Sequence, residues 1–192
     1  LELWFSSNRA GGAGSFDIMV ATRATPASPW NAPTFAPSVN GAGSESSPTM
    51  TDDKLEFYML TTGFGAPAAP NNAVFKATRS SASAPFSAPT LVTELSNSNT
   101  HRDVAVSGDG LTIWYTEFFS ATGRTRVLRS TRLDRSLPWD PPAPLTEFDN
   151  VGSVIGVYGF SPSASGNEVL INANFASASG SQEIMTARFE GL

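Results

Sequence analysis

"DIMVATRATPASPWNAP", residues 17–33, joins an apolar run closing on Ala-Thr-Arg to a Pro-aromatic-x-x-Pro segment, Pro29-Trp30-Asn31-Ala32-Pro33. The same pair of features returns twice, in the same order. "AVFKATR" (residues 73–79) precedes Pro85-Phe86-Ser87-Ala88-Pro89, and "RVLRSTR" (residues 126–132) precedes Pro138-Trp139-Asp140-Pro141-Pro142. Each aromatic follows an arginine by seven residues: Trp30 after Arg23, Phe86 after Arg79, Trp139 after Arg132. Six residues beyond each second proline stands an apolar residue, Val39, Leu95 or Phe148. Three features held in one register define an internal repeat.

A second series interleaves with the first. "LELWFSS" starts at Leu1, "LEFYMLTT" at Leu55, "LTIWYTE" at Leu111 and "VLINANF" at Val169, which gives spacings of 54, 56 and 58. "EIMTARF" from Glu183 supplies a fourth Ala-Arg run, with Arg188 one position early. A full unit therefore reads as four short strands. In the third unit these are residues 103–106, 111–116, 126–132 and a short outer strand near 145–148, with Gly108-Asp109-Gly110 turning the first hairpin. Asp-Gly between apolar runs is a strong hairpin signal. Four antiparallel strands repeated at this period predict an all-β fold, a β-propeller of four-stranded blades. About four repeats are visible, approximately 1–40, 41–96, 97–150 and 151–192, within one domain. The first lacks its innermost strand and the last its outermost. Either the ring closes tightly with four blades or the chain is part of a larger ring. Trp4, Tyr58 and Trp114 hold one repeat position and are expected to pack between blades.

Composition narrows the function classes. The chain has 192 residues, a net charge of -5 and only 15% charged residues, so it lacks the basic face that nucleic-acid binding needs. It has no cysteine, hence no disulfide and no thiolate metal site. No apolar run reaches the length of a membrane-spanning helix. Leu1 already lies in a strand-like run, as expected of a processed or excised chain.

The candidate chemistry is sparse. Asn8-Arg9-Ala10-Gly11-Gly12-Ala13-Gly14 is glycine-rich, but it joins two strands. A phosphate loop needs a helix N-terminus behind it. The glycines read instead as a strand connection using positive φ, with Arg9 pairing with Asp17 or a neighbouring carbonyl. His101 is the single histidine; with no further ligands and no nucleophile elbow, it reads as a surface or loop hydrogen-bonding residue. Glu45, Asp103, Asp109, Glu117 and Asp149 stand near strand ends, where paired carboxylates would serve a glycoside hydrolase. Calcium at Asp52-Asp53 or beside Asp149-Asn150 lacks the 12-residue loop pattern. Arg23, Arg79 and Arg132 read as edge charges that hydrogen-bond the outer strand and keep it soluble.

"LWFSSNRAGGAGSFDIMVATR" followed by "PWNAP" and "ESSPTMTDDKLEFYMLTT" resembles the WD40-like propeller repeat of bacterial exported proteins, similar to the propeller part of TolB-like proteins. Ser107-Gly108-Asp109-Gly110 matches the start of that unit. Arg9, Gly11, Gly12, Gly14 and Asp17 match its Arg-x-Gly-Gly loop and following aspartate, and Glu45 and Pro48 match its acidic and proline positions. At the Asp17 position the other units carry Ala73, Arg126 and Glu183. The resemblance implies an exported, periplasmic, cell-surface or secreted protein. It leads us to expect a non-enzymatic binding module with a protein or glycan partner, no cofactor and no metal. Oligomerisation is expected if the ring is incomplete. The binding-loop candidates are Arg9, Asp17, Glu45, His101, Asp103 and Asp149. The alternatives are a carbohydrate-active hydrolase with paired carboxylates at the axis, or a ligand-free scaffold.

Overall fold

The computed structural model describes residues 1–64, 72–120, 122–148, 154–163, 168–175 and 182–188. Among them there is no α-helix, and the strands fall into four successive blades. The first blade contains β1 (Glu2–Ser7), β2 (Asp17–Thr22) and β3 (Thr34–Phe35). The second contains β4 (Glu45–Met50), β5 (Glu56–Thr61), β6 (Ala73–Thr78) and β7 (Thr90–Leu91). The third contains β8 (Thr100–Val106), β9 (Thr112–Phe119), β10 (Arg124–Thr131) and β11 (Ala143–Pro144). The fourth contains β12 (Val154–Pro162), β13 (Glu168–Phe175) and β14 (Gln182–Arg188). Every pairing inside a blade is antiparallel.

Period-two alternation explains the stacking. A strand directs successive side chains to opposite faces, and here both faces are apolar. Phe57 and Met59 of β5 pack toward the first blade with Ile18, Phe75 and Phe86, while Tyr58 and Leu60 pack toward the third with Ile113, Tyr115 and Trp139. Trp114 faces the fourth blade beside Phe160 and Ile171. Trp4, Tyr58 and Trp114 thus all point at the next blade. Each fully buried side chain of this kind contributes about 1.5–3 kcal/mol. Blades also touch through the backbone at one repeated point. Parallel bridges join Phe16 to Ser44 and Thr125 to Gly156, and the His101 amide donates to the Asn72 carbonyl (3.1 Å).

The repeated arginines are not soluble edge charges. Arg23, Arg79 and Arg132 lie 4.3, 4.3 and 4.2 Å from the ring centres of Trp30, Phe86 and Trp139. They also donate to the carbonyls of Pro26, Ala84 and Arg135 in the turn before the aromatic. The seven-residue spacing is the reach of that stack. Arg132 is buried and bonds Glu56 of the preceding blade at 2.6 Å.

Two further details differ from the sequence reading. The outer strand of the third blade is β11, and residues 146–148 form a 3-10 turn instead, in which the Phe148 amide donates back to the Leu145 carbonyl (3.2 Å) as the Leu95 amide does to the Val92 carbonyl one blade earlier. In the fourth blade Val169 takes the place of Ile113, not of Leu111. The pairings Glu45–Thr61, His101–Glu117 and Val157–Ala173 fix a uniform spacing of 56. Among the described residues the ring is open: β1–β3 do not pack against β12–β14.

Candidate binding surface at the axis end

The starts of β4, β8 and β12, the ends of β5, β9 and β13 and the glycine loop before β2 converge at one end of the stack. Five of the six site residues proposed from sequence lie at this end; Asp149 lies outside the described residues.

Asp17 opens β2 and is buried, its Oδ1 accepting the Ala13 amide at 3.0 Å and the Gly14 amide at 3.4 Å. The loop closes over this carboxylate, and a Cβ on Gly12 would collide with Asp17 Oδ2. Gly11 holds φ at +99°, the left-handed region that glycine adopts freely. Arg9 does not pair with Asp17. Its guanidinium lies 5.8 Å from the Phe5 ring centre, and its Nη1 lies 3.9 Å from Met19 Sδ. Asp17 is already satisfied by amides, so the guanidinium covers apolar surface.

Glu45, at the start of β4, is fully buried. It accepts the Gly41 amide at 3.0 Å and the Thr61 hydroxyl at 2.7 Å. Burial pushes its carboxyl above the usual range, the two hydrogen bonds offset this in part, and the Asp17 charge adds to the rise.

His101 occupies the same repeat position one blade on. It is not a surface residue but fully buried, because β8 extends back to Thr100 and turns the ring into the interface between the second and third blades. Its Nδ1 lies 2.9 Å from the Asn72 carbonyl, and its ring stacks edge-on to Tyr115 at 4.9 Å. A carbonyl only accepts, so Nδ1 carries the proton. Glu117 is its register partner. Among the described residues, His101 Nε2, Glu117 Oε1, Tyr115 Oη and Thr116 Oγ1 are buried without hydrogen-bond partners. Burial and the Glu117 charge raise the Tyr115 hydroxyl far above its ordinary value. In the fourth blade the same positions are apolar, Val157 and Ala173.

Asp103 sits at a β-bulge that recurs in β4, β8 and β12, where the register shifts at Ser47, Asp103 and Gly159. The bulge re-aims the side chain across neighbouring inner strands. Asp103 Oδ2 accepts the Phe160 amide of the fourth blade at 2.7 Å, and the Ser47 side chain of the second also bonds the carboxyl. Burial nevertheless raises the Asp103 carboxyl above its ordinary value.

One exposed cluster was not foreseen from the sequence. The Arg102 guanidinium lies 4.8 Å from the Phe118 ring centre and 5.5 Å from that of Tyr158. Its only sequence signal is the alternation of β8, which turns Arg102 opposite to His101. At the other end of the stack, Asp109 accepts the Ser107 hydroxyl and the Leu111 amide, which is turn chemistry. Asp53 is bound by Arg135, which holds its carboxyl far below the ordinary range.

No family model matches the sequence, and no curated protein does. Solved structures are similar in fold, two of them as follows. TolB from Acinetobacter baumannii superposes with a TM-score of 0.59 at 14% identity, covering 98% of this chain and 39% of that one. The Hadza microbial sialidase Hz136 superposes with a TM-score of 0.51 at 14% identity, covering 92% of this chain and 39% of that one. The chain thus spans about two-fifths of the length of each. Both are β-propellers. Four successive antiparallel sheets, stacked face to face in one repeated register, give this chain the β-propeller fold.

Proposed function

We propose that the chain is a non-enzymatic binding module of an exported bacterial protein, and that it takes a glycan at the axis end. The observation that carries this reading is the Arg102 cluster. An exposed guanidinium beside the rings of Phe118 and Tyr158, at the edge of the axis, offers the flat apolar face and charged donors that suit a sugar ring and its hydroxyls. Three of the carboxylates at this end are engaged in the fold: Asp17 by loop amides, Glu45 by Gly41 and Thr61, Asp103 by Phe160. A glycan array, followed by titration of the hits into wild-type chain and the Arg102→Ala and Tyr158→Ala variants, tests it. Binding that falls at least tenfold in both variants supports the reading. An empty array, unchanged affinity in the variants, or release of reducing sugar from a polysaccharide panel refutes it.

A further inference from the structure

The two end faces of the stack carry the unmatched halves of an interface that the chain already builds internally. Between the second and third blades, Arg132 at the end of β10 reaches back to Glu56 at the start of β5 (2.6 Å), and Lys76 of the same blade as Glu56 binds its other oxygen (2.7 Å). One blade earlier the same two positions hold Arg79 and Glu2, and the Arg79 charge helps hold the Glu2 carboxyl down. One blade later the acidic position holds Thr112, and the fourth blade's arginine, Arg188, is out of step, paired in register with Glu168. Within this chain an acid thus stands at the position wherever an in-step arginine faces it. Two members are left over: Glu168, 56 residues after Thr112, on the outward face of the fourth blade, and Arg23 on the outward face of the first. Glu168 binds its own-blade Arg188 (2.7 Å), as Glu56 binds Lys76.

The apolar residues tell the same story. Phe86 and Trp139 each pack against the aromatic of the preceding blade, Trp4 at 6.0 Å and Tyr58 at 6.2 Å, and each is 6% exposed. Trp30, their counterpart, is 39% exposed, and Leu3 beside it on this face is open as well. Leu170, the counterpart of Trp4, Tyr58 and Trp114, is 50% exposed, and Ile184 on the adjacent strand is 79% exposed. Apolar side chains left open together on one face mark interaction sites.

We propose that two copies of this chain associate head to tail, the fourth blade of each docking on the first blade of the other, with Arg23 clipped to Glu168 and Trp30 packed on Leu170. The occupant of each face is what covers the equivalent faces inside the chain: a blade of the opposite sense in the same register. Two copies make both contacts at once and close a ring of 4 + 4 = 8 blades, within the usual range for propellers of roughly 4–8.

Light scattering after size exclusion, over a range of protein concentrations, tests the assembly. Two chains of 20.2 kDa give about 40 kDa. Arg23→Glu and Glu168→Arg place like charges in both contacts, so each variant runs as one chain while keeping the wild-type circular dichroism. In a mixture of the two variants one contact carries both substitutions, a charge-reversed pair, and the other carries neither. Opposite charges then face each other in both contacts, and the two-chain species returns. Because the chain has no cysteine, Trp30→Cys chains mixed with Leu170→Cys chains and oxidised form a covalent dimer. Wild-type chain that keeps the mass of one chain at every concentration overturns the proposal. So do open polymers, failure of the mixed variants to associate, or a Trp30→Cys/Leu170→Cys double variant that closes only within one chain.

Discussion

Replacing Arg132 with alanine is the sharpest test of how the blades hold together. The guanidinium is buried and makes three kinds of contact: Glu56 Oε2 at 2.6 Å, the Gly110 and Arg135 carbonyls at 2.8 and 3.0 Å, and the Trp139 ring at 4.2 Å. Charge-assisted hydrogen bonds contribute about 1.5–3 kcal/mol, and a desolvated cation on an aromatic face about 2 kcal/mol. Removing one partner of a buried pair costs about 3–5 kcal/mol. Lys76 still covers Glu56, so the lower part of that range, about 3 kcal/mol, is expected for Arg132→Ala. Arg79→Ala loses two carbonyl bonds and the Phe86 stack but no carboxylate bond, so about 2 kcal/mol is expected. Arg23→Ala, against the exposed Trp30, should cost about 1 kcal/mol or less. Urea unfolding of the three variants, with m-values compared, measures the series. Burial pushes the Glu56 carboxyl up, but the bonds from Lys76 and Arg132 outweigh it and hold it below its usual range. A carboxyl lowered on folding adds stability that is complete above its unfolded pKa of about 4.3 and disappears as the pH falls through the folded value. Arg132→Ala should therefore also flatten the acid side of the stability profile. Equal losses at the three sites, or a loss below about 1 kcal/mol at Arg132, would refute the reasoning.

Other perturbations probe the axis end. Gly12→Ala drives a methyl into the Asp17 carboxylate and should cost about 1–3 kcal/mol; unchanged urea midpoints would show that the loop does not fasten on Asp17. Glu45→Gln keeps the shape but not the charge. The Glu45 carboxyl is raised on folding, so its contribution is complete below the unfolded value near about pH 4 and is lost as the pH rises through the folded one. The variant should gain on the wild type as the pH rises above about 4, and a difference that stays constant as the pH rises argues against it. His101→Phe with Glu117→Leu removes the buried Nε2 and Oε1 that lack partners among the described residues, together with the Nδ1 bond to the Asn72 carbonyl, and puts apolar side chains there, as the fourth blade does with Val157 and Ala173. Thermal unfolding should show a double variant within about 1 kcal/mol of the wild type or above it; a loss near about 3 kcal/mol would mean that the polar pair stabilises the interface.

Architecture was legible because it is written in spacing. The Arg-to-aromatic interval repeats, the β5 and β9 runs are apolar on both faces, and strand geometry converts those patterns directly into stacked blades. Side-chain destinations were less legible. The arginines read as surface charges because single-sequence reasoning assigns a guanidinium to water; what buries Arg132 is a carboxylate 76 residues away. His101 read as a loop residue because nothing local shows that β8 runs back to Thr100. The two-residue offset at Val169 has a similar origin, since apolar content aligns two strands less sharply than their pairing partners do. Arg102 carried no motif at all, and it meets Tyr158 only because consecutive inner strands lie side by side.

The packing of Phe86 and Trp139 on the blade before each also has a kinetic consequence. A linkage that always points backward along the chain couples each unit to one neighbour, so the molecule behaves as a short linear lattice with cooperative contacts between adjacent sites. In a chain that stands alone, the middle of such a lattice is protected from two sides and the ends from one. Amide exchange should be slowest in β5, β6 and β9, and opening should begin at β1 or β14 and travel inward one unit at a time.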